Sequence, residues 1–224
     1  MKTAQMKVTL LDHMGSDLSV VNAARVSFHK ESEWDYEASF SEGRNTLSDQ
    51  DAKLTTYLAK HNHWSPFAHC FASFRIKAPI FVARQLGKHQ VGLAWNEVSR
   101  RYVDEEPEFW FPETWRGRPE GSMKQGSSGV VDVGNGYYIT NACANALKAY
   151  QSMLEDGIAP EQARMILPQN TMTEWIWSGS LVAFARVCKL RLDPHAQKET
   201  GMIAEGIAGD MNKLFPVSWK ELMK

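Results

Sequence analysis

Apolar residues along this chain change their spacing several times, and each change marks a different predicted element. Val8-Thr9-Leu10-Leu11 is a short apolar run typical of a strand. Residues 17–24 follow with helical spacing, and Asp17 is a candidate N-cap for that helix. Residues 29–48 are polar and predict an exposed loop, whereas apolar residues at helical spacing in 54–58 predict a helix that ends near His61.

The middle of the chain predicts a strand followed directly by a helix. Apolar and polar residues alternate from Cys70 to Lys77, as in a half-buried strand. Pro79 favours a helix start, since its φ is fixed and it lacks an N–H. Gly87 and Gly92 each cost about 1 kcal/mol relative to alanine in a helix interior. We therefore expect the helix to end by Gly92 and residues 93–101 to form an irregular ligand loop.

The second half of the chain predicts mostly helices. The Gly/Ser-rich stretch 121–136 is expected to be a mobile surface segment. The predicted elements after it are a helix over about 138–156 that stops at Gly157, a short helix from Pro160, a strand over 171–177, a helix from Ser180 through Leu190, and a last helix that starts at Asp193-Pro194.

These elements predict an α+β protein with several helices packed on a small, mostly antiparallel sheet. The 224 residues are 43% hydrophobic and 23% charged, which fits one domain spanning 1–224. The formal net charge of -1 gives no global attraction to nucleic acid or to an anionic membrane, so we expect neither as a partner. No apolar run approaches the length of a membrane span, and the N-terminus lacks a signal peptide, so we expect a cytoplasmic protein.

Three cysteines are too few and too far apart to form a disulfide framework or a zinc knuckle. Cys70, Cys143 and Cys188 are therefore expected to be small buried apolar residues. The cluster of His61, His63, His69 and Cys70 suggests a metal site, but no carboxylate or second cysteine nearby completes a tetrahedral set. We expect no metal.

Residues 83–102 carry most of the reactive side chains in the middle of the chain. They include four cationic side chains, together with His89, Glu97, Ser99 and several amides. If a helix starts at Pro79 and continues, Arg84 and Lys88 share one face, and Gln85 and His89 share the adjacent face. One interpretation is a solvated charged face, which is the commoner use of such a pattern. The other is a site for a planar, anionic ligand.

The order of residues in this stretch favours the second interpretation. Lys88-His89-Gln90 followed by Asn96-Glu97-x-Ser99-x-Arg101-Tyr102 resembles the signature of flavin-dependent thymidylate synthases, usually R-H-R and then S-x-N-E-x-S-x-R-Y. Segments elsewhere are similar to the same family and occur in family order: 14–19, 23–28, 60–69, 77–85, 163–168 and 190–199. The resemblance covers most of the chain, which is identified as a member of this family.

The resemblance implies a fold, a reaction and an assembly. The fold would be that of the thymidylate synthase-complementing proteins, and the protein would be a homotetramer with active sites shared between subunits. The reaction would be reductive methylation of dUMP to dTMP, with 5,10-methylenetetrahydrofolate as the one-carbon donor and FAD, reduced by NADPH, as the hydride source. The cofactors would carry the difficult chemistry, so the protein would bind and orient flat or anionic molecules.

The resemblance also implies roles for individual residues. Arg191 would contact the uracil, Arg101 and Arg164 the phosphate, and Ser99 would be a substrate contact in the catalytic centre and not a nucleophile, because no base is poised to activate it. The remaining nucleotide contacts would be Gln85, Lys88 and Glu97. The residues expected to contact FAD are Ser27, His63, Ser65, Lys88, His89, Gln90, Asn96, Glu97, Ser180, Arg186 and His195.

The sequence departs from the family pattern in several places, which suggests a divergent branch. Lys88-His89-Gln90 replaces R-H-R, and Ser180 and Arg186 stand where asparagines are usual. These departures leave two alternatives open. One is a flavin-dependent hydroxymethylase of a pyrimidine nucleotide, which omits the final hydride transfer. The other is a nucleotide-binding protein without catalytic activity.

Overall fold

The computed structural model describes residues 1–103, 105–119 and 126–224. The strands are β1 (Lys2–Thr3), β2 (Lys7–Met14), β3 (Phe71–Pro79), β4 (Leu93–Glu97), β5 (Glu108–Phe109), β6 (Trp115–Gly117), β7 (Ser128–Val131) and β8 (Met172–Ser180). The α-helices are α1 (Asp17–Arg25), α2 (Tyr36–Glu42), α3 (Asp49–Lys60), α4 (Ile80–Leu86), α5 (Tyr137–Glu155), α6 (Pro160–Ala163), α7 (Leu181–Arg191), α8 (Lys198–Leu214) and α9 (Pro216–Leu222).

The centre of the fold is a four-stranded antiparallel sheet in the order β2-β3-β8-β4. Strands β3 and β8 pair without interruption from Phe71↔Ser180 to Pro79↔Met172. Because the two strands run in opposite directions, α4 leaves one end of the sheet after Pro79 and α7 leaves the other end after Ser180. The predicted α+β class, with helices on a small antiparallel sheet, is confirmed.

One face of this sheet is buried under helices. Alternate residues of β3, including Phe74 and Ile76, are fully buried with Trp175 and Trp177 of β8. Residues of α4, α7 and α8 belong to the same core, which explains why the apolar spacing of α8 through Ile203, Ile207 and Met211 is regular. A second, smaller core lies around Phe109, Cys143, Leu147, Tyr150 and Ala163, where α5 packs on the loops before β8.

Two short pairings complete the fold. Strand β1 pairs in parallel with β5, and β6 pairs with β7 as an antiparallel hairpin. The stretch predicted to be mobile, 121–136, is only partly described. Residues 121–125 lie outside the described residues, whereas Ser128–Val131 form a strand and not an irregular segment.

Several predicted boundaries are wrong, and each error has a local cause. The polar stretch 29–48 contains helix α2, which is stabilised by its ends: the Asp35 carboxylate accepts from Ala38 N–H at 2.9 Å, and Gly43 adopts a left-handed conformation with φ 65°. Helix α1 is preceded by Ser16, whose N–H donates to Ser19 Oγ at 3.0 Å, so Asp17 is not the N-cap.

The predicted ligand loop and the predicted last helix also differ from the structure. Residues 93–97 form edge strand β4, whose Leu93 and Trp95 alternate with exposed Ala94 and Asn96. Asp193 does not start a helix, because its carboxylate accepts from His195 N–H at 2.7 Å and its carbonyl from Ala196 N–H at 2.8 Å, which forms a turn. Helix α8 therefore begins at Lys198, and α9 follows it.

The cysteines behave as predicted. All three are buried free thiols. Burial raises the pKa of Cys70 to about 11 and that of Cys188 to about 12, so both are protonated at neutral pH. Within residues 1–103, 105–119 and 126–224, none of the helices has the length and apolar character required to cross a bilayer.

Asp17 joins the two ends of the chain. Its buried carboxylate accepts from Val217 N–H at 2.9 Å and from Ser218 N–H at 2.8 Å, at the start of α9. We expect Asp17→Ala to lower the free energy of unfolding by about 2 kcal/mol, because two buried donors lose their acceptor. Denaturant titration measures this. Asp12→Ala, at an exposed carboxylate bonded to the adjacent residue, is the control and should change stability little; equal effects would contradict the capping role.

Candidate active site

The C-terminal ends of α4 and α7 bring two predicted site residues into contact. Arg191 is the last residue of α7, and its Nε–H donates to Nε2 of His89 at 3.0 Å. His89 lies beyond α4, which ends at Leu86, and its own N–H donates to the Leu86 carbonyl at 3.0 Å. The expected helical face that continued through Lys88 and His89 is therefore wrong, because the turn at Gly87 ends the helix first.

This contact fixes the state of both side chains. An imidazole nitrogen that accepts a hydrogen bond from a guanidinium must be unprotonated, so His89 is neutral with its proton on Nδ1. Burial, and secondly the charge of Arg191, lower the pKa of His89. Burial also lowers the pKa of Arg191, which nevertheless remains charged. Its terminal amino groups make no hydrogen bond within the described residues and can serve a ligand.

Arg191 lies in a cleft of about 640 Å³. We call it the Arg191 cleft, and it is lined by Gln85, Arg116, Ser127, Arg191, His195 and Gln197, among others. Its volume is in the range of small-molecule sites. Gln85 Oε1 is buried and has no hydrogen-bond partner among the described residues. Such an orphaned acceptor is costly unless a ligand supplies a donor, so these residues fit a flat molecule with N–H groups, such as a uracil or a flavin ring.

A second group of predicted residues lies near the C-terminal end of β4. Glu97 and Arg164 line a separate cleft of about 440 Å³, the Arg164 cleft. One Glu97 oxygen accepts from Thr173 Oγ1 at 2.7 Å and the other from Trp95 Nε1 at 3.2 Å. Glu161 bonds both arginines that were predicted to contact the phosphate: its carboxylate accepts from Arg101 Nε at 3.1 Å and its carbonyl from Arg164 Nε at 3.3 Å.

Ser99 lies in the turn before Arg101. Its hydroxyl accepts from the backbone N–H of Arg101 at 3.3 Å, and within the described residues it has no bond to a histidine or a carboxylate. A serine without a neighbouring base is a weak nucleophile. This environment suits the predicted role of a substrate contact.

A third group lies where β8 ends. Ser180 and Arg186 line a cleft of about 630 Å³ with apolar walls that include Trp64, Phe71 and Leu93, and we call it the Arg186 cleft. Ser180 Oγ accepts from Ala183 N–H at 3.4 Å and caps α7, as predicted. Arg186 Nη2 donates to the Val91 carbonyl at 2.9 Å. Aromatic walls beside one guanidinium fit a ring bearing a phosphate.

The other residues predicted to contact FAD are exposed. They are Ser27, His63, Ser65, Lys88, Gln90 and Asn96. Ser65 directly follows Trp64 of the Arg186 cleft. Ser27 lies in a short 3₁₀ turn, Val26–Phe28, that follows Arg25, and Arg25 is fixed by an ion pair to Asp51 at 2.5 Å.

The predicted residues that line a cleft are divided among three clefts that share no lining residue: Gln85, Arg191 and His195 in one, Glu97 and Arg164 in the second, Ser180 and Arg186 in the third. Arg191, Gln85 and His195 come together, but Arg101 and Arg164 form a different group. Sequence reasoning missed Arg116, which lines the Arg191 cleft, because it lies in a segment without a recognised motif. It also missed Trp95, which stacks on Trp175 with ring centroids 4.3 Å apart; the alternation in 93–97 was the signal that could have revealed it.

A family model, two relatives of known name and one solved structure resemble this chain over most of its length. The family model described as "Thymidylate synthase complementing protein" matches residues 9–217. A flavin-dependent thymidylate synthase of Thermus thermophilus is 37% identical over 212 residues, which cover 95% of this chain and 73% of that protein. The enzyme of the same name from Thermosipho africanus is 32% identical over 226 residues, covering 96% and 90%. The crystal structure of the UMP/dUMP methylase PolB from Streptomyces cacaoi, bound with 5-Br dUMP, has a TM-score of 0.84 and 31% identity over 99% of this chain and 96% of that one.

The His89–Arg191 contact predicts a pH dependence. Because the pKa of His89 in the folded protein lies below its ordinary value of 6.5, the unfolded chain binds more protons between the two values. The stability that neutral His89 contributes is thus complete above pH 6.5 and is lost as pH falls towards the lower value.

An NMR titration of the His89 ring should give a pKa below 6.5. Arg191→Gln should raise it only part of the way back, because burial is the larger cause and remains. His89→Gln assigns the resonance and should weaken the loss of stability below pH 6.5. A His89 pKa at or above its ordinary value would contradict the assigned hydrogen bond.

Proposed function

Because the chain belongs to the thymidylate synthase complementing protein family, we propose that it methylates dUMP to dTMP as a flavin-dependent thymidylate synthase. The one-carbon donor is 5,10-methylenetetrahydrofolate, and NADPH is the reductant of FAD. The observation that carries the proposal is the Arg191 cleft, where a charged guanidinium is held beside neutral His89 and the orphaned Gln85 oxygen. Support comes from the 31% identical relative bound with 5-Br dUMP.

The chain's own residues bind and orient in this proposal, and FAD supplies the hydride that completes the methyl group. Arg191 uses Nε to bond His89, so its orientation is fixed before a ligand arrives. A preorganised positive charge stabilises electron density that builds on a uracil ring when its carbon attacks the one-carbon unit. Gln85 Oε1 offers an acceptor to a ring N–H, and His89, His195 and Arg186 would hold the flavin.

Arg101 and Arg164 bind the phosphate of dUMP in this proposal. A guanidinium can donate two parallel hydrogen bonds to phosphate oxygens. Both arginines bond Glu161, Arg101 through its carboxylate and Arg164 through its carbonyl, so they have a common neighbour within one chain. The nucleotide must span from this group to Arg191, although Arg164 and Arg191 line different clefts of the same chain.

We further propose that each active site is completed between subunits of a homotetramer. A neighbouring chain would bring its Arg101 and Arg164 to the Arg191 cleft of the first. Several aromatic side chains are largely uncovered in one chain: Phe28 is 76% exposed, Tyr36 82%, Phe40 84% and Tyr102 80%. Large exposed apolar groups on this scale are typical of subunit interfaces.

A second candidate substrate is UMP. The structural relative is described as a UMP/dUMP methylase. A second structure of it, bound with 5-Br UMP, aligns with this chain at 29% sequence identity and a TM-score of 0.80. The chemistry at the uracil ring is the same for both nucleotides, so the choice depends on how the site treats the ribose 2′-hydroxyl.

The direct test is the mass of the product. Purified protein loaded with FAD is incubated with dUMP, methylenetetrahydrofolate and NADPH, and with UMP in a parallel reaction. We expect dTMP from dUMP, and no product when NADPH is omitted. A product heavier by a hydroxymethyl group would identify the hydroxymethylase alternative instead, and unchanged dUMP with a protein that takes up no flavin would indicate a non-catalytic nucleotide-binding protein.

Substitution of the two groups of arginines should give different kinetics. Arg101→Ala removes a phosphate grip that acts equally in ground and transition states, so KM for dUMP should rise about tenfold to a hundredfold with kcat little changed. Arg191→Ala removes the positive charge beside the reacting ring, so kcat should fall by about a hundredfold. Arg44→Ala, at an exposed arginine paired with Glu42, is the control and should be neutral.

The same pair tests whether the site is shared. When assayed at dUMP concentrations far below the raised KM, where each variant alone is nearly inactive, Arg101→Ala and Arg191→Ala chains that are dissociated and reassembled together should regain about one quarter of wild-type activity, since one site in four would combine two intact contributions. Arg101 and Arg164 belong to one group, so a mixture of Arg101→Ala and Arg164→Ala should regain nothing. A fully active monomer in light scattering would contradict the shared site.

A further inference from the structure

Arg116 joins three segments of the chain that are distant in sequence. It lies on β6, and its Nε–H donates to Ser127 Oγ at 2.7 Å, beside the start of β7. Its Nη2 donates to both carboxylate oxygens of Glu199, at 2.7 and 2.8 Å. Glu199 is in the first turn of α8. The β6–β7 hairpin is thus fixed to the start of α8 by the Arg116 side chain.

The Glu199 carboxylate is a buried anchor for this contact. Its side chain is 7% exposed, and Gln197 Nε2 donates to Oε2 at 3.1 Å in addition to the two bonds from Arg116. Burial by itself would raise the pKa of Glu199, but the hydrogen bond from Arg116 and the other donors outweigh it, and the pKa lies below its ordinary value. The pair is therefore charged at neutral pH.

Stability does not explain such a pair. Removing two charges from water costs about as much as their attraction returns, so an apolar pair of similar size would pack as well. What the Arg116 bonds add is fixed geometry, because one planar guanidinium donates from Nη2 to both Glu199 oxygens and from Nε to Ser127, and so connects the two residues rigidly. The question is then which neighbouring groups need that geometry.

The neighbours of the pair form the wall of the Arg191 cleft. Arg116, Ser127 and Gln197 line this cleft on one side and, on the other, a cavity of about 510 Å³ with Phe81, Trp110, Trp115 and Tyr138 in its walls. The chain between Arg191 and Glu199 carries His195 and is anchored at its ends, by α7 and by the Arg116–Glu199 pair. Between these anchors the His195 side chain is open to solvent, at 84% exposed.

We propose that Arg116 is a positioning residue for the active site: its bonds to Glu199 and Ser127 hold the 192–197 segment and the β6–β7 hairpin in place as one wall of the Arg191 cleft. The inference rests on the proposed function for its kinetic readout. It does not require Arg116 to touch the substrate, because the ion pair acts through the backbone of the segment that carries His195.

The central variant is Arg116→Gln, with Arg118→Gln as its matched control. Arg118 is an exposed arginine two residues away, just after β6. In Arg116→Gln we expect kcat to fall about tenfold to a hundredfold, because a displaced wall misplaces groups that must align. KM for dUMP should change less than about threefold, since the phosphate arginines are untouched. Arg118→Gln should match the wild type in both.

Flavin content provides a readout that does not depend on turnover. The absorbance of bound FAD per chain after dialysis should fall severalfold in Arg116→Gln and Glu199→Gln, because both release the segment that carries His195. Combining the two substitutions should add little to either one alone, since they break the same contact. Arg116→Lys, which keeps the charge but lacks separate nitrogens for Glu199 and Ser127, should restore flavin retention in part.

Three outcomes would overturn the proposal. One is wild-type kcat and flavin retention in a folded Arg116→Gln tetramer. Another is a lower melting temperature while activity per bound flavin stays unchanged, which would show a purely structural pair. If Arg116→Gln does not fold, Glu199→Gln and Arg116→Lys are used instead. The third contradicting outcome is then wild-type flavin retention in both of these variants. If the wild type does not methylate dUMP, the proposed function fails, while flavin retention still tests Arg116.

Discussion

The uninterrupted pairing of β3 with β8 determines where the functional side chains lie. Nine residue pairs connect the two strands from Phe71↔Ser180 to Pro79↔Met172. Each strand is followed at once by a helix, α4 after one end and α7 after the other, and both pack on the same buried sheet face. Helices that start at opposite ends and run back over one face bring their C-terminal ends together, which is where His89 meets Arg191.

The same ladder separates the remaining groups. Strand β4 runs along the free edge of β8 from Leu93↔Gly179 to Glu97↔Trp175, so it carries the chain from the Arg186 cleft at Leu93 to the Arg164 cleft at Glu97. A strand of five residues spans about 16 Å at roughly 3.3 Å per residue. A short rigid strand thus separates the residues of the Arg186 cleft from those of the Arg164 cleft. The shared site proposed above would unite separate groups from two chains without moving either element.

The sequence predicted the parts of the fold that depend on burial. Strand β8, helix α5 and the Ser180 cap of α7 were all found, because apolar spacing and a capping residue are local signals. Helix α2 was missed because its Tyr36 and Phe40 are exposed and its ends, not its burial, define it. The start of α8 was misplaced because the Asp193 turn satisfies the backbone before a helix can begin.

The residues assigned to the candidate site stay a prediction, and their arrangement could not be derived from the sequence. The motif containing His89, Glu97 and Arg101 indicated the chemistry, yet no local signal shows that His89 accepts from Arg191, 102 positions away. The contact of Arg116 could not be found in the same way, since its partner Glu199 lies 83 positions further along the chain. Long-range contacts of this kind follow from the packing of whole elements, which sequence spacing does not encode.

If the Arg191 cleft places a nucleotide ring against a bound flavin, dUMP must change the visible absorption spectrum of that flavin. The purified or reconstituted protein should show flavin bands, these bands should shift on titration with dUMP, and the shift should be lost in Arg191→Ala while the bands remain. A protein that takes up no flavin, or flavin bands that do not respond to dUMP, would contradict this placement.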